Sequence, residues 1–462
     1  MTGFGDTIAA VSTPRGKGGI AIIRVSGSEA IALCDRFFRA PSGKPLAETP
    51  SNTAVWGHIL EEGEMIDDGI ATVFRAPRSF TGEDTVEISC HGGILVTEAV
   101  LSVILAAGAR PAEAGEFTRR AFVGGKLGLS QAEALASLLD AGNRNQMLLS
   151  RSGLEGKIAH RCREIYNHLC DILGNLYAKI DYPDEDLSGL SREQLIQGLT
   201  DILKQVTALS DTYKSGHAVA EGIRTVICGR PNAGKSSLYN RMVGRDAAIV
   251  TDVAGTTRDI LEETVPFGGI TLRLCDTAGL RCGDDVDTVE QIGIERAREQ
   301  LEQAELILAL FDGSRNWDSE DASFADTLST RSECVIALLS KSDKATGSVG
   351  EQLRLRFPCV VEISAVTESG VDALAHEIER RFLDGNIDLR HDAVVASARQ
   401  YASLCRCSDA LNTTLSSLGA GFSEELCAAD IETAMQAIGE LDSRSVSDDI
   451  VSNIFSRFCV GK

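Results

Sequence analysis

The chain has 462 residues, 43% of them apolar, with 45 basic against 67 acidic side chains and a net charge of −22. That length calls for roughly two to four domains with separate cores, and no window approaches the ~18 uninterrupted apolar residues of a membrane span. The acidic balance opposes non-specific nucleic-acid binding, which draws most of its affinity from Lys and Arg on phosphates, so an RNA contact would need a local basic patch or a partner protein. Thirteen cysteines without a C-x-x-C pair read as reduced thiols. Cys405 and Cys407, two apart on an expected helix, point to different faces and make a poor metal pair. Met1 to Ala10 has neither the order of a signal peptide nor the Arg/Ser richness of a transit peptide, so the expected compartment is the cytoplasm, with no membrane contact.

The first ~120 residues read as mixed α/β. Gly19 to Val25 and Asp84 to Ser89 are strand-like, Gly92 to Ala107 is helix-like, and turn clusters at Ala40 to Gly43 and Thr81 to Glu83 separate them. From Leu129 the pattern becomes helical. Ser130-Gln-Ala-Glu133 has capping-box spacing. Ser191-Arg-Glu-Gln194 has it too, followed by Leu195, Leu199, Ile202, Val206 and Leu209 at helical spacing. The acidic stretch Asp181 to Asp186 lies between. Strand/helix alternation runs from Gly222 to Asp384, and residues 393–458 return to helix. The expected fold is multidomain: an N-terminal α+β domain (1–122), a discontinuous all-α domain (123–219 and 386–462), and a Ras-like α/β P-loop domain inserted at 220–385.

Gly229-Arg-Pro-Asn-Ala-Gly-Lys-Ser236 has the spacing of a phosphate-binding loop. Its glycines let backbone N–H groups face a polyphosphate, Lys235 neutralises the β/γ oxygens, and the Ser236 hydroxyl ligates Mg²⁺. The expected strand Thr225 to Cys228 enters the loop, and a helix from Ser237 leaves it with its N-terminus toward the phosphates. Downstream, Ile260 to Phe267 and Ile270 to Cys275 flank Gly268-Gly269, a two-residue hairpin signal. Asp276-Thr277-Ala278-Gly279 ends the second strand, where Asp276 can hold the Mg²⁺ water shell and the Gly279 N–H can approach the γ-phosphate. Thr257, in Thr251 to Asp259, offers a second hydroxyl to Mg²⁺. After the strand Val335 to Leu339 comes Ser340-Lys341-Ser-Asp343, whose Asp343 carboxylate can accept from the guanine ring N–H and amine. Ser364-Ala365-Val366 follows another strand and offers a backbone N–H to the guanine oxygen. Singly, each reads as an ordinary turn. In this order they specify GTP. The neighbour of Asp-Thr-Ala-Gly is Leu280, where Ras-like enzymes use Gln to orient water, so a water-orienting group must come from elsewhere, with Arg281 to Glu290 as the source.

These motifs, with Gly255-Thr-Thr-Arg-Asp259, resemble the MnmE (TrmE) family of tRNA modification GTPases. Asp6-Thr-Ile8, Gly18-Gly19, Arg24-Val-Ser-Gly27, Phe80-Thr-Gly-Glu-Asp84, His91-Gly-Gly93, Gly115-Glu-Phe-Thr118 and Phe458-Cys-Val-Gly-Lys462 extend the resemblance over nearly the whole chain. It implies a homodimer activated by K⁺, with Asn232, Thr251, Val253 and Thr256 around the ion, and a catalytic glutamate before Ile292 to Arg296, hence Glu290, which with Lys235 makes up the catalytic pair expected. The GTP-contacting set it implies is Asn232, Ala233, Gly234, Lys235, Ser236, Ser237, Thr251, Asp252, Val253, Ala254, Gly255, Thr256, Thr257, Asp276 to Gly279, Lys341, Asp343, Ser364, Ala365 and Val366.

For the N-terminal domain the resemblance implies binding of a one-carbon donor, 5-formyltetrahydrofolate or 5,10-methylenetetrahydrofolate, by Arg24, Glu87, Lys126 and Lys462. From the residues alone, Arg24 and Glu87 read as strand-surface charges and His91 as a turn or core histidine. Cys459 is the chemically active thiol to expect, near Lys462 at the chain end, against the reading of a half-buried apolar side chain. The implied partners are tRNA and an MnmG (GidA)-type FAD protein, in a heterotetramer or larger, acting on C5 of the wobble uridine. Two positions depart from the family pattern: Ser340 where Asn or Thr is usual, and Lys126-Leu-Gly-Leu129. A regulatory ribosome-assembly GTPase without folate chemistry and an ATP-using enzyme with a similar loop remain open.

Overall fold

The computed structural model describes residues 5–181, 190–244, 262–275, 299–344, 348–364, 366–367, 369–441, 451, 454–456 and 458–461. By internal contacts the chain divides into two units: Met1–Ala136, Gly153–Leu173 and Glu432–Lys462 form one, and Ser137–Ser152 with Gly174–Ile431 form the other.

The first unit holds β1 (Ile8–Val11), β2 (Ile20–Ser26), α1 (Ala30–Cys34), β3 (Phe38–Arg39), β4 (Thr53–Glu61), β5 (Glu64–Phe74), β6 (Thr85–His91), α2 (Ile94–Ala106), β7 (Arg110–Pro111) and α3 (Glu116–Val123). The seven strands run in the order β3-β4-β5-β6-β2-β1-β7. Alternation within β2 buries Ala21, Ile23 and Val25 and turns Arg24 to the other face, directly across from Glu87 on β6. The buried face closes over Ile88, Val100 and Ile104, so α2 supplies the lid of this core.

Helix α4 (Leu129–Leu139) follows. Its start differs from the capping-box expectation. The helix begins before Ser130, whose hydroxyl is buried and donates to the Leu441 carbonyl at 3.2 Å, while Gln131 Oε1 accepts from the Gly128 N–H at 2.8 Å. Ser130 is a packing contact, and a residue buried inside the first turn cannot serve as its cap. The chain end returns to this unit: Phe455 and Phe458 pack with Leu129 and Ala132, and Val460 bridges to Ala114.

Helices α5 (Arg144–Leu154) and α6 (Lys157–Asp181) come next. In the second unit, α7 (Arg192–Asp211) starts with the expected capping box, Ser191 with Gln194, and its five predicted apolar positions are all buried. Then come α8 (Tyr213–Ala220), β8 (Ile223–Gly229), α9 (Lys235–Gly244), β9 (Glu262–Phe267), β10 (Ile270–Cys275), β11 (Leu306–Asp312), α10 (Ser319–Ser329), β12 (Val335–Ser340), α11 (Val349–Arg356), β13 (Val360–Glu362), α12 (Val371–Phe382), α13 (Ala398–Gly419) and α14 (Glu424–Gly439). The sheet order is β13-β12-β11-β8-β10-β9. It is parallel except for edge strand β9, which pairs antiparallel with β10. Strands β11 and β12 are continuous apolar runs, as strands covered on both faces must be.

Helices before and after the α/β segment pack on each other. Arg192 of α7 donates to the carbonyls of Leu418 and Phe422 at the end of α13. Tyr213 of α8 stacks on Tyr401 of α13 at 4.3 Å. The P-loop domain is therefore an insertion into a discontinuous set of helices. No described helix is long and apolar enough to cross a membrane.

Candidate functional sites

Strand β8 delivers the chain into the phosphate loop, and α9 begins at Lys235. The loop needs left-handed backbone at two positions, Asn232 at φ 63° and Gly234 at φ 100°; Asn tolerates that region and Gly has no steric cost there. Lys235 Nζ donates to the carbonyls of Gly229 at 2.8 Å and Arg230 at 2.9 Å, so the ammonium lies across the loop. Burial pulls its pKa below the ordinary lysine value, with Cys228 opposing slightly. An anion delivered there would replace two neutral acceptors with a charged one, a stronger partner. Arg230, which the sequence did not single out, ties the loop to the first turn of α10 through Asp318 at 2.8 Å and Asp321 at 3.1 Å. Ser236 lies in the first turn of α9 and Ser237 lines the cavity beside it.

That cavity, of about 170 Å³, is lined by Gly234, Leu238, Arg241, Lys341, Asp343, Ser364 and Val366 among others. Ser364 Oγ donates to Asp343 Oδ1 at 2.6 Å, and accepts from the Thr367 N–H at 3.2 Å. Lys341 sits at φ 55° with Nζ 2.6 Å from Asp312 Oδ2 at the end of β11. Ser340 is buried and donates to the Phe311 carbonyl at 3.0 Å. The cavity thus joins Gly234 of the phosphate loop to a carboxylate, Asp343, that is held by a hydroxyl. Thr251 to Thr257, including Asp252, Val253, Ala254, Gly255 and Thr256, lie outside the described residues, as do Asp276 to Gly279, Glu290 and Ala365.

In the first unit, Arg24 Nε donates to Glu87 Oε1 at 2.9 Å, and its guanidinium lies 4.9 Å from the Phe80 ring centroid and 5.5 Å from that of Phe117. Arg24 and Glu87 are thus a paired and aromatic-flanked couple, not separate surface charges. The Lys126 stem lies against Gly82, and its Nζ donates to the Pro77 carbonyl at 2.9 Å. The Phe80 to Asp84 loop brings these groups together. Lys462 lies outside the described residues. Cys459 is exposed, and the strand-like bridge between Ala114 and Val460 fixes the backbone beside it.

Beneath this couple sits Arg120, whose side chain is 1% exposed. It donates to Asp6 Oδ1 at 2.7 Å, Glu116 Oε1 at 2.9 Å and Glu83 Oε2 at 3.2 Å. Ser26 Oγ donates to the same Glu83 oxygen at 3.0 Å. Four of the motif segments therefore converge on one buried cation. Burial lifts the Glu116 pKa, but hydrogen bonds from Arg110, the Glu113 N–H and Arg120 outweigh it and leave the group below the usual carboxylate range. The signal for Arg120 was present in the sequence as an arginine four residues after Glu116, one helical turn.

His91 is neither in a turn nor in the core. It ends β6, exposed, with Nδ1 2.7 Å from Asp67 Oδ1. Asp67, Asp68 and His91 bring possible ligand atoms within 4.8 Å of one another; Asp67 is paired with His91 and Asp68 accepts from Trp56 Nε1.

Two family models match the chain: the TrmE N-terminus, described as a GTP-binding protein, over residues 7–126, and the MnmE helical domain over residues 129–459. Among curated proteins, the tRNA modification GTPase MnmE of Ligilactobacillus salivarius is 38% identical, covering 99% of this chain and 98% of its own. The protein of that name from Clostridioides difficile is 36% identical, covering 99% of each. Among solved structures, Era of Aquifex aeolicus bound to GDP and AlF4⁻ aligns with 41% of this chain and 66% of its own, at 24% identity and a TM-score of 0.28.

Proposed function

The chain belongs to the MnmE family of tRNA modification GTPases, and from that premise we propose that it acts as a homodimer in the cytoplasm with an MnmG (GidA)-type FAD protein. Together they add an aminomethyl or carboxymethylaminomethyl group at C5 of the wobble uridine of certain tRNAs. The one-carbon unit comes from 5-formyltetrahydrofolate or 5,10-methylenetetrahydrofolate bound at the N-terminal sheet.

The observation that carries this reading is the Arg24–Glu87 couple between the Phe80 and Phe117 rings. A pterin is planar and has an amine-bearing edge, and its glutamyl tail is anionic. The partly exposed Phe80 ring can stack against the pterin, Glu87 can accept from the amine edge, and Arg24, Lys126 and Lys462 can face the carboxylates. Cys459 is exposed and is the thiol proposed to serve the same site.

In the GTP site, Lys235 would turn from the loop carbonyls to the β/γ oxygens, Ser236 and Thr257 would hold Mg²⁺, and Glu290 would orient the water. Asn232 is exposed at the loop with φ 63°, and its amide oxygen would be a ligand for K⁺ in the set the family implies with Thr251, Val253 and Thr256. Mg²⁺ and K⁺ supply charge stabilisation at the transferring phosphoryl group. Hydrolysis drives conformational change and not the carbon chemistry itself.

The test is mass analysis of wobble uridines in tRNA from a strain lacking this chain, together with 5-formyltetrahydrofolate titration of the full chain and its Arg24→Gln variant. Loss of the modified uridine, with folate binding that Arg24→Gln weakens, is expected. Wobble-uridine modification that persists in that strain, with no folate binding by the chain, would instead favour a ribosome-assembly-type regulatory GTPase.

A further inference from the structure

The hairpin of β9 and β10 joins two of the nucleotide motifs in sequence: Thr251 to Asp259 precede it and Asp276 to Gly279 follow it. Its register pairs Ile270 with Phe267 at the turn and Cys275 with Glu262 at the open end. Strand β10 runs parallel to β8, whose C-terminal end carries the phosphate loop. The Gly268-Gly269 turn therefore lies at the opposite end of the sheet, roughly 20 Å away at about 3.4 Å per residue.

Side chains from outside the sheet hold that turn. Asn145 Nδ2 donates to the Gly269 carbonyl at 2.8 Å, and the Gly269 N–H donates to Glu379 Oε1 at 2.5 Å. Asn143 Nδ2 donates to Thr271 Oγ1 at 2.9 Å, while its Oδ1 accepts from the Gln146 N–H at 2.9 Å near the start of α5. The paired glycines make room for this clamp. A Cβ on Gly268 would lie 2.5 Å from Glu379 Oε1, and one on Gly269 would lie 2.6 Å from Asn145 Nδ2. A hairpin turn alone requires glycine only where φ is positive, here Gly268 at 62°. The second glycine answers to Asn145.

We propose that Asn145 and Glu379 are positioning residues for GTP hydrolysis. By pinning the turn they fix the register of β9 and β10, and so set where the two strands present the motif segments at their other ends. Neither residue lines the guanine cavity, so nucleotide affinity and turnover should separate. The inference rests on the GTPase activity alone and is independent of the folate and tRNA chemistry.

The experiment compares kcat for GTP and GDP affinity in full-length Asn145→Asp, Glu379→Leu, Glu379→Gln and Thr271→Val proteins. Asn145→Asp keeps the shape and removes the donor; Thr271→Val is a near-isosteric change that removes Asn143's acceptor. The expected result is a kcat reduced about tenfold in Asn145→Asp and Glu379→Leu and a smaller loss in Thr271→Val. GDP affinity should stay within about twofold of wild type in all of them. Glu379→Gln, which keeps an acceptor for the Gly269 N–H, should retain most of the wild-type rate. Wild-type kcat in both Asn145→Asp and Glu379→Leu would overturn the proposal, and so would a parallel fall in kcat and GDP affinity, which marks general loosening of the domain. A wild-type chain that binds GTP without hydrolysing it would count against the GTPase assignment instead.

Discussion

The Ser364 hydroxyl donates to Asp343 Oδ1 at 2.6 Å, so the carboxylate proposed to read the base is oriented by a side chain 21 residues further along the chain. An oriented carboxylate can accept from the guanine ring N–H and amine together, and each charge-assisted hydrogen bond is worth about 1.5–3 kcal/mol. Ser364→Ala should weaken GDP binding about tenfold, by freeing the carboxylate to rotate. Asp343→Asn places an amide donor where guanine presents donors. It should lose GTP about 100-fold or more and gain affinity for xanthosine nucleotides, whose ring carries an oxygen at that edge. Fluorescent-nucleotide titration with both bases checks this; equal losses for guanine and xanthine nucleotides would show that Asp343 only supports the loop.

The chain end is docked by two glycines. Gly461 has φ 103°, and a Cβ there would lie 2.1 Å from the Val11 carbonyl oxygen. Gly115 has φ 67°, and its Cβ would lie 2.3 Å from the Phe455 carbonyl oxygen. Neither neighbour can give way, because both are backbone. Gly461→Ala should lift the tail off β1, breaking the Ser12 Oγ to Gly461 carbonyl bond of 3.0 Å. Carboxypeptidase should then trim the variant several-fold faster than wild type, with GTP turnover unchanged. Equal trimming rates would show that the docking contributes nothing to tail order.

Much of this was legible in the sequence, because the features that announced it are local. The capping box at Ser191, the stripe from Leu195 to Leu209, the hairpin at Gly268-Gly269 and the phosphate loop each depend on spacing within one element. What was not legible depends on partners far along the chain. Ser130 has cap spacing, but tertiary packing against Leu441 gives its hydroxyl another partner. Arg24 and Glu87 read as separate charges until strand register sets them opposite each other. Arg120 draws on Asp6, Glu83 and Glu116, three segments that only the fold assembles. Asn145 and Glu379 meet Gly269 across more than a hundred residues.

Leu280 stands where Ras-like enzymes place their water-orienting Gln, so a water-orienting group must come from another residue, proposed above to be Glu290. Glu290→Ala should leave GTP affinity near normal and lower turnover about 100-fold, the usual contribution of a positioned acid–base group. Single-turnover hydrolysis in K⁺ measures it. Unchanged turnover would remove Glu290 from the mechanism.

Arg120 bonds Asp6, Glu83 and Glu116 from the buried side of its cluster, and Arg110 reaches Glu116 at 2.6 Å from the surface side. Replacing Arg120 with Leu would take its hydrogen bonds from Glu83 and leave Glu116 held by Arg110 and the Glu113 N–H, so the loss should fall below the about 3–5 kcal/mol of a buried pair broken outright. The same network sets a pH dependence. Hydrogen bonding from Arg110, with Arg120, holds Asp6 below its ordinary value against the effect of burial, and Glu116 is likewise lowered from 4.5. A carboxyl whose folded pKa is depressed contributes stability that is present above the unfolded value and lost as pH falls through the folded one. The N-terminal sheet should therefore loosen as pH drops below 4.5. Glu116→Gln should start less stable and show a shallower acid limb, because one of the groups that must take up a proton has gone. Hydrogen exchange at the amides of β1 and β2 between neutral and acid pH reads this locally, without assuming that the whole chain unfolds in one step. An acid limb of unchanged slope in Glu116→Gln would assign the acid sensitivity to other carboxylates.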